Sequence, residues 1–159
     1  ETVEGAAKYY IYRATSKDGA YKHVKTAVSA RSFEDSTAKA GTNYHYKVKA
    51  VYKDTAANSA YSEAVTRVCD LPRPTVSLKL NSSGAPYLTW KEVSGAKGYE
   101  IFRSESKSGD YASIGTTEKL KYADKTAEEG EKYYYKVRAM HTKSSANSAY
   151  SSVKYITAK

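Results

Sequence analysis

The strongest constraint on the fold is that the sequence repeats itself. The six-residue segment "ANSAYS" occurs at residues 57–62 and again at residues 146–151. Around it, residues 33–62 align with residues 122–151, and 15 of 30 positions are identical. A second stretch of the same two copies aligns "VEGAAKYYIYRATSKDGAYKHV" with "VSGAKGYEIFRSESKSGDYASI", with 10 of 22 positions identical. Internal repetition on this scale indicates two copies of one structural unit. We predict domains at residues 1–70 and 71–159.

Apolar residues alternate with polar ones in several short runs of the second copy. Examples are Val76, Leu78 and Leu80, and the longer run Tyr133-x-Tyr135-x-Val137-x-Ala139. Turn-forming segments such as "NSSGAP", "SKSGD" and "AEEGE" separate these runs, and a period of two between turns predicts β-strands. No segment sustains a helical period over ten residues. Seven or so short strands in about 88 residues predict an all-β, antiparallel sandwich.

The second copy resembles a fibronectin type III domain, of the kind repeated in large secreted and surface proteins of Gram-positive bacteria. The residues that carry the resemblance are Pro74, Trp90, Tyr99, Ile101 and the segment "EEGEKYYYKVRA" at residues 128–139. Its Gly-x-x-Tyr spacing is similar to the tyrosine corner of such sandwiches, in which a hydroxyl group bonds back to nearby backbone. Gly41 and Tyr44 occupy the same positions in the first copy. The resemblance implies two tandem fibronectin type III-like domains.

The first copy has no counterpart to residues 72–91, which supply the first two strands of the second copy. Without those strands one face of the sandwich is bare and one strand edge is unpaired. Two interpretations are open: a parent protein that continues upstream, or a strand donated by another chain. In either case we expect the face formed by Tyr9, Ile11, Tyr44, Tyr46 and Val48 to contact protein from outside these residues, or to be poorly ordered.

The net charge of +9 invites comparison with nucleic-acid-binding proteins. Residues 1–70 carry 11 basic and 8 acidic side chains, a net +3, and residues 71–159 carry 15 and 9, a net +6. The lysines alternate with apolar residues along the predicted strands, which is typical of a solvated sheet face. We therefore expect no nucleic-acid partner. No apolar run of about 18 residues is present, so we also expect no membrane insertion.

Motifs for catalysis or for metal binding are missing from the sequence. The three histidines, His23, His45 and His141, are scattered, and tyrosines replace two of them in the other copy. No Cys-x-x-Cys pair, calcium loop, phosphate loop or nucleophile elbow occurs. We predict no catalytic residues, no cofactor, no metal site and no enzymatic activity.

The best candidate surface is the outward side of the central strands, where aromatic and cationic side chains should be neighbours. One interpretation is cross-strand packing that stabilises the sheet. Another is a platform for cell-wall glycan, an anionic polymer or a protein. The candidate residues are Tyr10, Tyr12, Lys47, Lys49, Phe102, Tyr134, Lys136 and Arg138.

The resemblance implies a non-catalytic spacer in a larger extracellular or cell-surface protein, which positions neighbouring domains of the same polypeptide and could mediate adhesion. Two alternatives stay open. The first is a binding module for glycan or anionic polymer on the aromatic–basic face. The second is an assembly subunit whose first domain is completed by another chain.

Overall fold

The computed structural model of the chain describes residues 3–27 and 32–159. It divides into two units, Glu1–Cys69 (unit 1) and Asp70–Lys159 (unit 2). Within the described ranges the regular structure consists of antiparallel strands and two single turns of 3-10 helix, Thr55–Ala57 and Ser144–Ala146. The prediction of an all-β, antiparallel fold is confirmed.

Unit 1 forms one four-stranded sheet from its described residues, in the order β2-β1-β3-β4. The long strand β3 lies in the middle and pairs with the whole of β1, from Ala14 opposite His45 to Lys8 opposite Val51. The strands of unit 1 are β1 (Lys8–Ala14), β2 (Lys22–Ala27), β3 (Asn43–Val51) and β4 (Val65–Val68).

Unit 2 contains two sheets, with strand orders β11-β10-β7-β8 and β5-β6-β9. The first sheet repeats the sheet of unit 1, and β10 occupies the place of β3. The strands of unit 2 are β5 (Val76–Leu80), β6 (Pro86–Trp90), β7 (Gly98–Ser104), β8 (Ala112–Thr117), β9 (Lys121–Ala123), β10 (Lys132–Met140) and β11 (Lys154–Thr157).

The core of unit 2 is built by the alternation that the sequence shows. Along β10 the side chains of Tyr133, Tyr135, Val137 and Ala139 are all buried, while the residues between them are half-buried. Leu88 of β6, in the second sheet, is also fully buried. Burying a side chain of this size stabilises a fold by about 1.5–3 kcal/mol relative to leaving it exposed.

Unit 1 differs because the strands that would cover its sheet, the counterparts of β5 and β6, are not among residues 3–27 and 32–69. The inner face of that sheet is unevenly covered, and its expected contact with protein from outside these residues stays a prediction. Val48 is 37% exposed, whereas Ile11 and Tyr44 are buried within the unit. One cause is local: the guanidinium carbon of Arg13 lies 4.6 Å from the centre of the Tyr44 ring and covers it.

Strand β4 extends to Val68, so unit 1 remains regular almost to its last residue. Cys69 is also held there, because its amide donates to the Thr42 carbonyl (3.0 Å) and its carbonyl accepts from the Gly41 amide (2.8 Å).

Tyrosine corners are present in both units, as the resemblance implies. The Tyr44 hydroxyl accepts a hydrogen bond from the Lys39 amide (3.1 Å), and the Tyr133 hydroxyl accepts one from the Glu128 amide (3.3 Å). The chain turns between donor and ring at Gly41 (φ +74°), where a left-handed backbone favours glycine. Each corner thus fixes the loop that leads into the central strand.

The repeated "ANSAYS" segment forms a ladder of side-chain hydrogen bonds along the central strand. In unit 2 the Ser148 amide donates to the Ala139 carbonyl (3.0 Å), and the Ser148 hydroxyl accepts from the Ala139 amide (2.9 Å). Ser151 bonds Val137 in the same way, at 2.8 and 3.0 Å. Each serine hydroxyl therefore takes the place of a backbone carbonyl of a neighbouring strand.

The same ladder occurs in unit 1, where Ser59 bonds Ala50 and Ser62 bonds Val48 over 2.9–3.0 Å. Asn58 begins this ladder, because its side-chain oxygen accepts from the Tyr52 amide (3.0 Å). The Asn, Ser and Ser of the repeated segment are thus explained by hydrogen bonding to strand amides, which would otherwise lack partners.

Candidate functional site

The outward side of the central strands brings rings and cations together in both units, as the alternation predicts. We call the two groups the unit 1 cluster and the unit 2 cluster. Their members occupy equivalent positions of the repeat and lie on β1 and β3 or on β7 and β10, with two tyrosines contributed by connecting segments. The unit 1 cluster is Tyr12, Tyr21, Lys47, Lys49 and Tyr61, and the unit 2 cluster is Phe102, Tyr111, Lys136, Arg138 and Tyr150.

In the unit 1 cluster the Tyr12 and Tyr61 rings meet edge to face, with centroids 5.0 Å apart and an interplanar angle of 84°. The Lys49 ammonium lies 5.4 Å from the Tyr61 centroid, and the Lys47 ammonium lies 4.5 Å from the Tyr21 centroid. An ammonium in this position is attracted to the ring face by about 0.5–1 kcal/mol at an exposed site.

The unit 2 cluster has the same geometry. The Phe102 and Tyr150 rings are again 5.0 Å apart at 84°. The Lys136 ammonium sits 3.5 Å from the Tyr111 centroid, and the Arg138 guanidinium carbon lies 5.4 Å from the Tyr150 centroid. This repetition of distances and angles means that the clusters are set by the fold of each unit.

One position distinguishes the two clusters electrostatically. Glu100 of β7 forms an ion pair with Arg138 (2.6 Å), and its other carboxylate oxygen accepts from the Ser113 hydroxyl (2.9 Å). The counterpart of Glu100 in unit 1 is Tyr10, which brings no carboxylate to Lys49. The positive charge of the unit 1 cluster is therefore less neutralised than that of the unit 2 cluster.

Two of the sequence-predicted residues lie beside the clusters. Tyr10 packs edge-on against Tyr12 and His23, with the Lys8 ammonium 5.1 Å from its centroid. Tyr134 pairs instead with Tyr155 of β11, at 5.7 Å between centroids. Of the predicted residues, Tyr12, Lys47 and Lys49 therefore lie in the unit 1 cluster. Their counterparts lie in the unit 2 cluster, whereas Tyr134 lies outside it.

Phe102 was predicted to lie on the outward surface, but in the structure its side chain is buried. Its face points away from the core, but Tyr150 packs edge-on against it and the Arg138 guanidinium carbon lies 5.5 Å from its centroid. Strand alternation alone does not predict this cover, because Tyr150 comes from the segment after the strand.

Sequence reasoning missed the four tyrosines that complete the clusters. Tyr61 and Tyr150 are the tyrosines of "ANSAYS", and both are exposed. Tyr21 and Tyr111 follow the Lys-x-Gly-x turns "KDGAY" and "KSGDY". The signal that could have found them is their identity in both copies, outside the alternating strands.

The pKa is raised for one tyrosine of each cluster: for Tyr111 by burial and the nearby Tyr134 hydroxyl, and for Tyr12 by burial and neighbouring tyrosines. Loss of solvent around Tyr12 raises the pKa of its hydroxyl, and the hydrogen bond with Tyr61 and the nearby Tyr61 and Tyr10 hydroxyls raise it further. The Tyr12 hydroxyl is therefore protonated at neutral pH.

A second repeated group lies on the inner side of each sheet and is polar. In unit 2 the Asp124 carboxylate accepts hydrogen bonds from Arg103 (2.9 Å), Tyr135 (2.9 Å) and Thr126 (2.8 Å). Asp124 is only 1% exposed at its side chain. Desolvation opposes its charge, but the hydrogen bonds from Thr126, Tyr135 and Arg103 outweigh it and lower the pKa of the carboxyl. The same carboxylate, with burial, raises the pKa of Tyr135 strongly.

Unit 1 repeats this network with Asp35, which accepts from Arg13 (2.6 Å), Tyr46 (2.8 Å) and Thr37 (2.7 Å). Desolvation again opposes ionisation, but the donors Thr37, Tyr46 and Arg13 lower the pKa of Asp35 to about 2. Burial and the Asp35 hydrogen bond raise the pKa of Tyr46 to about 12. Neither network holds a group poised for proton transfer near neutral pH.

Within residues 3–27 and 32–159, no three His, Cys, Asp or Glu side chains come together as a group that could hold a metal ion. In the same ranges no helix is long and apolar enough to cross a membrane.

No protein-family model matches the chain, and no curated protein does either. Solved structures do match. The chain is 31% identical to a Fn3-like protein from Clostridium thermocellum, over 55% of this chain and 90% of that one, with a TM-score of 0.48. It aligns with a segment of two fibronectin type III domains from chicken tenascin at 14% identity, over 98% and 87% of the two chains and a TM-score of 0.53. The chicken interferon gamma receptor alpha chain aligns at 13% identity over 99% and 88%, with a TM-score of 0.65.

The tenascin and receptor structures share the fold of this chain. The tyrosine corners and the two packed sheets of unit 2 agree with these likenesses. The chain has the fibronectin type III fold.

Proposed function

We propose that this chain is a non-catalytic structural module of a larger extracellular or cell-surface protein, in which it positions neighbouring domains. The observation that carries the proposal is the kind of residue that the two units share. The Asp-centred networks, the tyrosine corners and the serine ladders are repeated, and each of them holds a unit together. The receptor chain among the fold relatives supports a place outside the cell.

The geometry of the clusters also favours a structural role over a glycan platform. A sugar ring stacks on an open aromatic face, but cations already lie over these rings, as Lys136 does at 3.5 Å from the Tyr111 centroid. Phe102 and Tyr150 pack edge to face, so these two rings also contact each other within the unit. The rings are therefore engaged with their own sheet, which supports cross-strand packing as their purpose.

The test compares binding with stability in the variants Tyr12→Ala and Phe102→Ala. A structural module should bind no member of a glycan array, and both variants should lower the free energy of unfolding, Phe102→Ala by about 3 kcal/mol. Chemical denaturation with tryptophan fluorescence measures this for unit 2, because Trp90 is the single tryptophan and lies in that core. Saturable glycan binding that either variant abolishes would contradict the proposal.

The second candidate is a weak binding module for anionic polymers, and the difference at Tyr10 and Glu100 favours it in unit 1. There Lys47 and Lys49 are held over rings without the carboxylate that neutralises Arg138. Titration with polyphosphate at several salt concentrations tests it, since binding that depends on a few cations falls steeply with salt. Lys49→Gln should then weaken binding more than Arg138→Gln, and equal effects would argue against a unit 1 site.

A further inference from the structure

Three asparagines of the chain are each followed by a serine, at Asn58, Asn81 and Asn147. Two of these pairs belong to the repeated "ANSAYS" segment, and the third lies in the turn between β5 and β6. An Asn–Ser pair can react within itself, because the backbone nitrogen of the serine lies close along the chain to the side-chain carbonyl carbon of the asparagine. The folded structure decides which of the three pairs is free to do so.

In the repeated segment the serine amides are already engaged. The Ser59 amide donates to the Ala50 carbonyl (3.0 Å), and the Ser148 amide donates to the Ala139 carbonyl (3.0 Å). These bonds are part of the serine ladders along the central strands. A reaction at either amide therefore requires the ladder to open first, at a cost in free energy.

The turn between β5 and β6 leaves the corresponding amide free. Ser82 is exposed, and its amide donates to no group in the part of the chain that the structure describes. The turn is closed on either side of it, since the Gly84 amide donates to the Asn81 carbonyl (3.1 Å) and the Asn81 amide donates to the Ala85 carbonyl (2.9 Å). The nitrogen next to the Asn81 side chain is thus available as a nucleophile.

The Asn81 side chain is held by its oxygen. This oxygen accepts hydrogen bonds from the Ser83 amide (3.0 Å), the Ser83 hydroxyl (2.8 Å) and the Ala85 amide (2.9 Å). The oxygens of Asn58 and Asn147 each accept one bond from a strand amide. When a nucleophile adds to the side-chain carbonyl carbon, negative charge develops on this oxygen, and donors already directed at it stabilise that charge.

We propose that Asn81 is a site of spontaneous deamidation in the folded protein. The Ser82 backbone nitrogen loses its proton to hydroxide and attacks Cγ of Asn81, and the new N–C bond closes a succinimide ring. The Cγ–Nδ2 bond breaks, and Nδ2 takes a proton from water and leaves as ammonia. A water molecule then adds to either ring carbonyl carbon, and the ring opens to an aspartate or an isoaspartate. This inference does not depend on the proposed structural function.

Both products change the same corner of unit 2. Each replaces a neutral amide with a carboxylate in a chain of net charge +9. Isoaspartate also lengthens the backbone at a closely packed turn, where the Gly84 carbonyl accepts from the Lys159 amide (3.0 Å) and a side-chain carbon at Gly84 would collide with the Lys159 carbonyl oxygen. We expect aspartate to keep this contact, since a carboxylate still accepts the hydrogen bonds of the turn, and isoaspartate to break it.

The experiment incubates the full chain at mildly alkaline pH and measures by peptide mapping and mass spectrometry how fast each asparagine becomes an acid. In the folded chain Asn81 should react at least about tenfold faster than Asn58 and Asn147, because their ladders must open first. In concentrated urea the ladders are lost, and the rates of the three pairs should lie within about threefold of one another. The proposal is overturned if Asn81 reacts no faster than the other two in the folded chain. It is also overturned if its tenfold preference persists in urea, because the local sequence would then be the cause.

Ser83→Ala tests the donors around the side-chain oxygen. It removes the hydroxyl and keeps both backbone amides, so it should slow the reaction at Asn81 at least about threefold. Ser83→Thr keeps a hydroxyl and should react within about twofold of the unchanged chain. Fluorescence of Trp90 during thermal denaturation shows whether unit 2 is folded in both variants. An unchanged or faster reaction in Ser83→Ala overturns the proposal, because the turn would then protect Asn81.

Discussion

Units 1 and 2 use the same residues at the centre of the same sheet, yet bury them to different degrees. Val137 is 0% exposed and its counterpart Val48 is 37% exposed, although both follow the same Tyr-x-Tyr-Lys sequence. The difference comes from strands β5 and β6, which cover one sheet and have no counterpart within residues 3–27 and 32–69. The side chain alone does not decide whether a strand residue is core; the second layer does.

The polar features of the two units differ much less than the apolar ones. The Asp35 and Asp124 networks have the same partners at distances within a few tenths of an ångström. The serine ladders and tyrosine corners are also the same. Hydrogen bonds within one sheet and its loops need no second layer, so these features persist where the apolar core is incomplete.

The largest expected difference between the units concerns the buried carboxylates. Asp124→Ala should cost about 3–5 kcal/mol of unfolding free energy, because it leaves the buried Tyr135 hydroxyl without its acceptor and Arg103 without its ion-pair partner. Asp35→Ala should cost about 1–3 kcal/mol, because the Asp35 side chain is 9% exposed and water can reach its donors. Urea denaturation followed by tryptophan fluorescence for unit 2 and by amide exchange for unit 1 measures both. Equal losses of unfolding free energy in the two variants would mean that water is excluded equally from both networks.

Truncation of the paired valines tests the effect of the second layer directly. Val137→Ala should destabilise unit 2 by about 2 kcal/mol, through lost burial and the cavity left behind. Val48→Ala should cost less than about 1 kcal/mol, since a third of this side chain is already in water. Guanidinium denaturation of the two variants gives the values. A large cost at Val48 would show that its face is covered in solution.

The Asp35 network predicts how unit 1 responds to acid. An Asp pKa of about 2 in the folded unit lies below the unfolded value of about 3.9, so the stabilisation is present above about pH 4. It is lost progressively as the pH falls from about 4 to about 2. Asp35→Asn should flatten this dependence in unit 1 while unit 2 keeps its own, which amide exchange between pH 2 and 5 can resolve. An unchanged pH profile would contradict the assignment.

Tyr46 predicts how the stability of unit 1 changes at alkaline pH. Its pKa is raised from about 10 to about 12 in the folded unit, so its contribution is complete below about pH 10 and disappears as the pH rises toward 12. Absorbance of the phenolate follows the titration, and Tyr46→Phe should remove that step. If every tyrosine titrated near pH 10, the hydrogen bond between Tyr46 and Asp35 would be excluded.

The serine ladders should show a smaller contrast. Ser148→Ala leaves the buried amide of Ala139 without an acceptor and should cost about 1–2 kcal/mol. Ser59→Ala should cost about 0.5–1 kcal/mol, because Ser59 is half-buried and water can replace its hydroxyl. Thermal denaturation of both variants compares them, and Ser148→Thr, which keeps a hydroxyl, serves as the control. A loss in the Thr variant equal to that in the Ala variant would assign the effect to packing.

The smallest effect is expected at the position that distinguishes the clusters. Glu100→Gln should change stability by less than about 1 kcal/mol, because its ion pair with Arg138 is partly exposed. It should nevertheless make the unit 2 cluster resemble the unit 1 cluster in charge. Polyphosphate titration of this variant shows whether that charge matters for binding, and a binding change as large as that of Lys49→Gln would extend the anionic-polymer site to unit 2.

Much of the fold could be predicted from the sequence because alternation and repetition are direct consequences of strand geometry. Tyr133, Tyr135 and Val137 were expected to be buried and are, since residues two apart lie on one face of a strand. The exposed Val48 also follows, from the missing counterpart to residues 72–91. These inferences need only the pattern of a strand and the number of layers.

The clusters and the Asp networks were harder to predict because they join residues from segments without a period. Tyr150 covers Phe102 from an irregular segment, so a strand pattern leaves Phe102 exposed. Asp124 follows a three-residue strand and reaches Arg103 across 21 positions. A comparison of the two copies could have found them, since Arg, Asp and Tyr recur together at equivalent positions.

The serine ladder has a consequence for solubility. A central strand that ends beside water offers free amides to any other chain, which is how edge-to-edge aggregation begins. In unit 1 the exposed apolar side chain of Val48 would further favour association with other strands. Because Ser59 and Ser62 cap the amides of Ala50 and Val48, foreign strands find no donors along this stretch. We therefore expect the repeated "ANSAYS" segment to disfavour edge-to-edge aggregation at this strand.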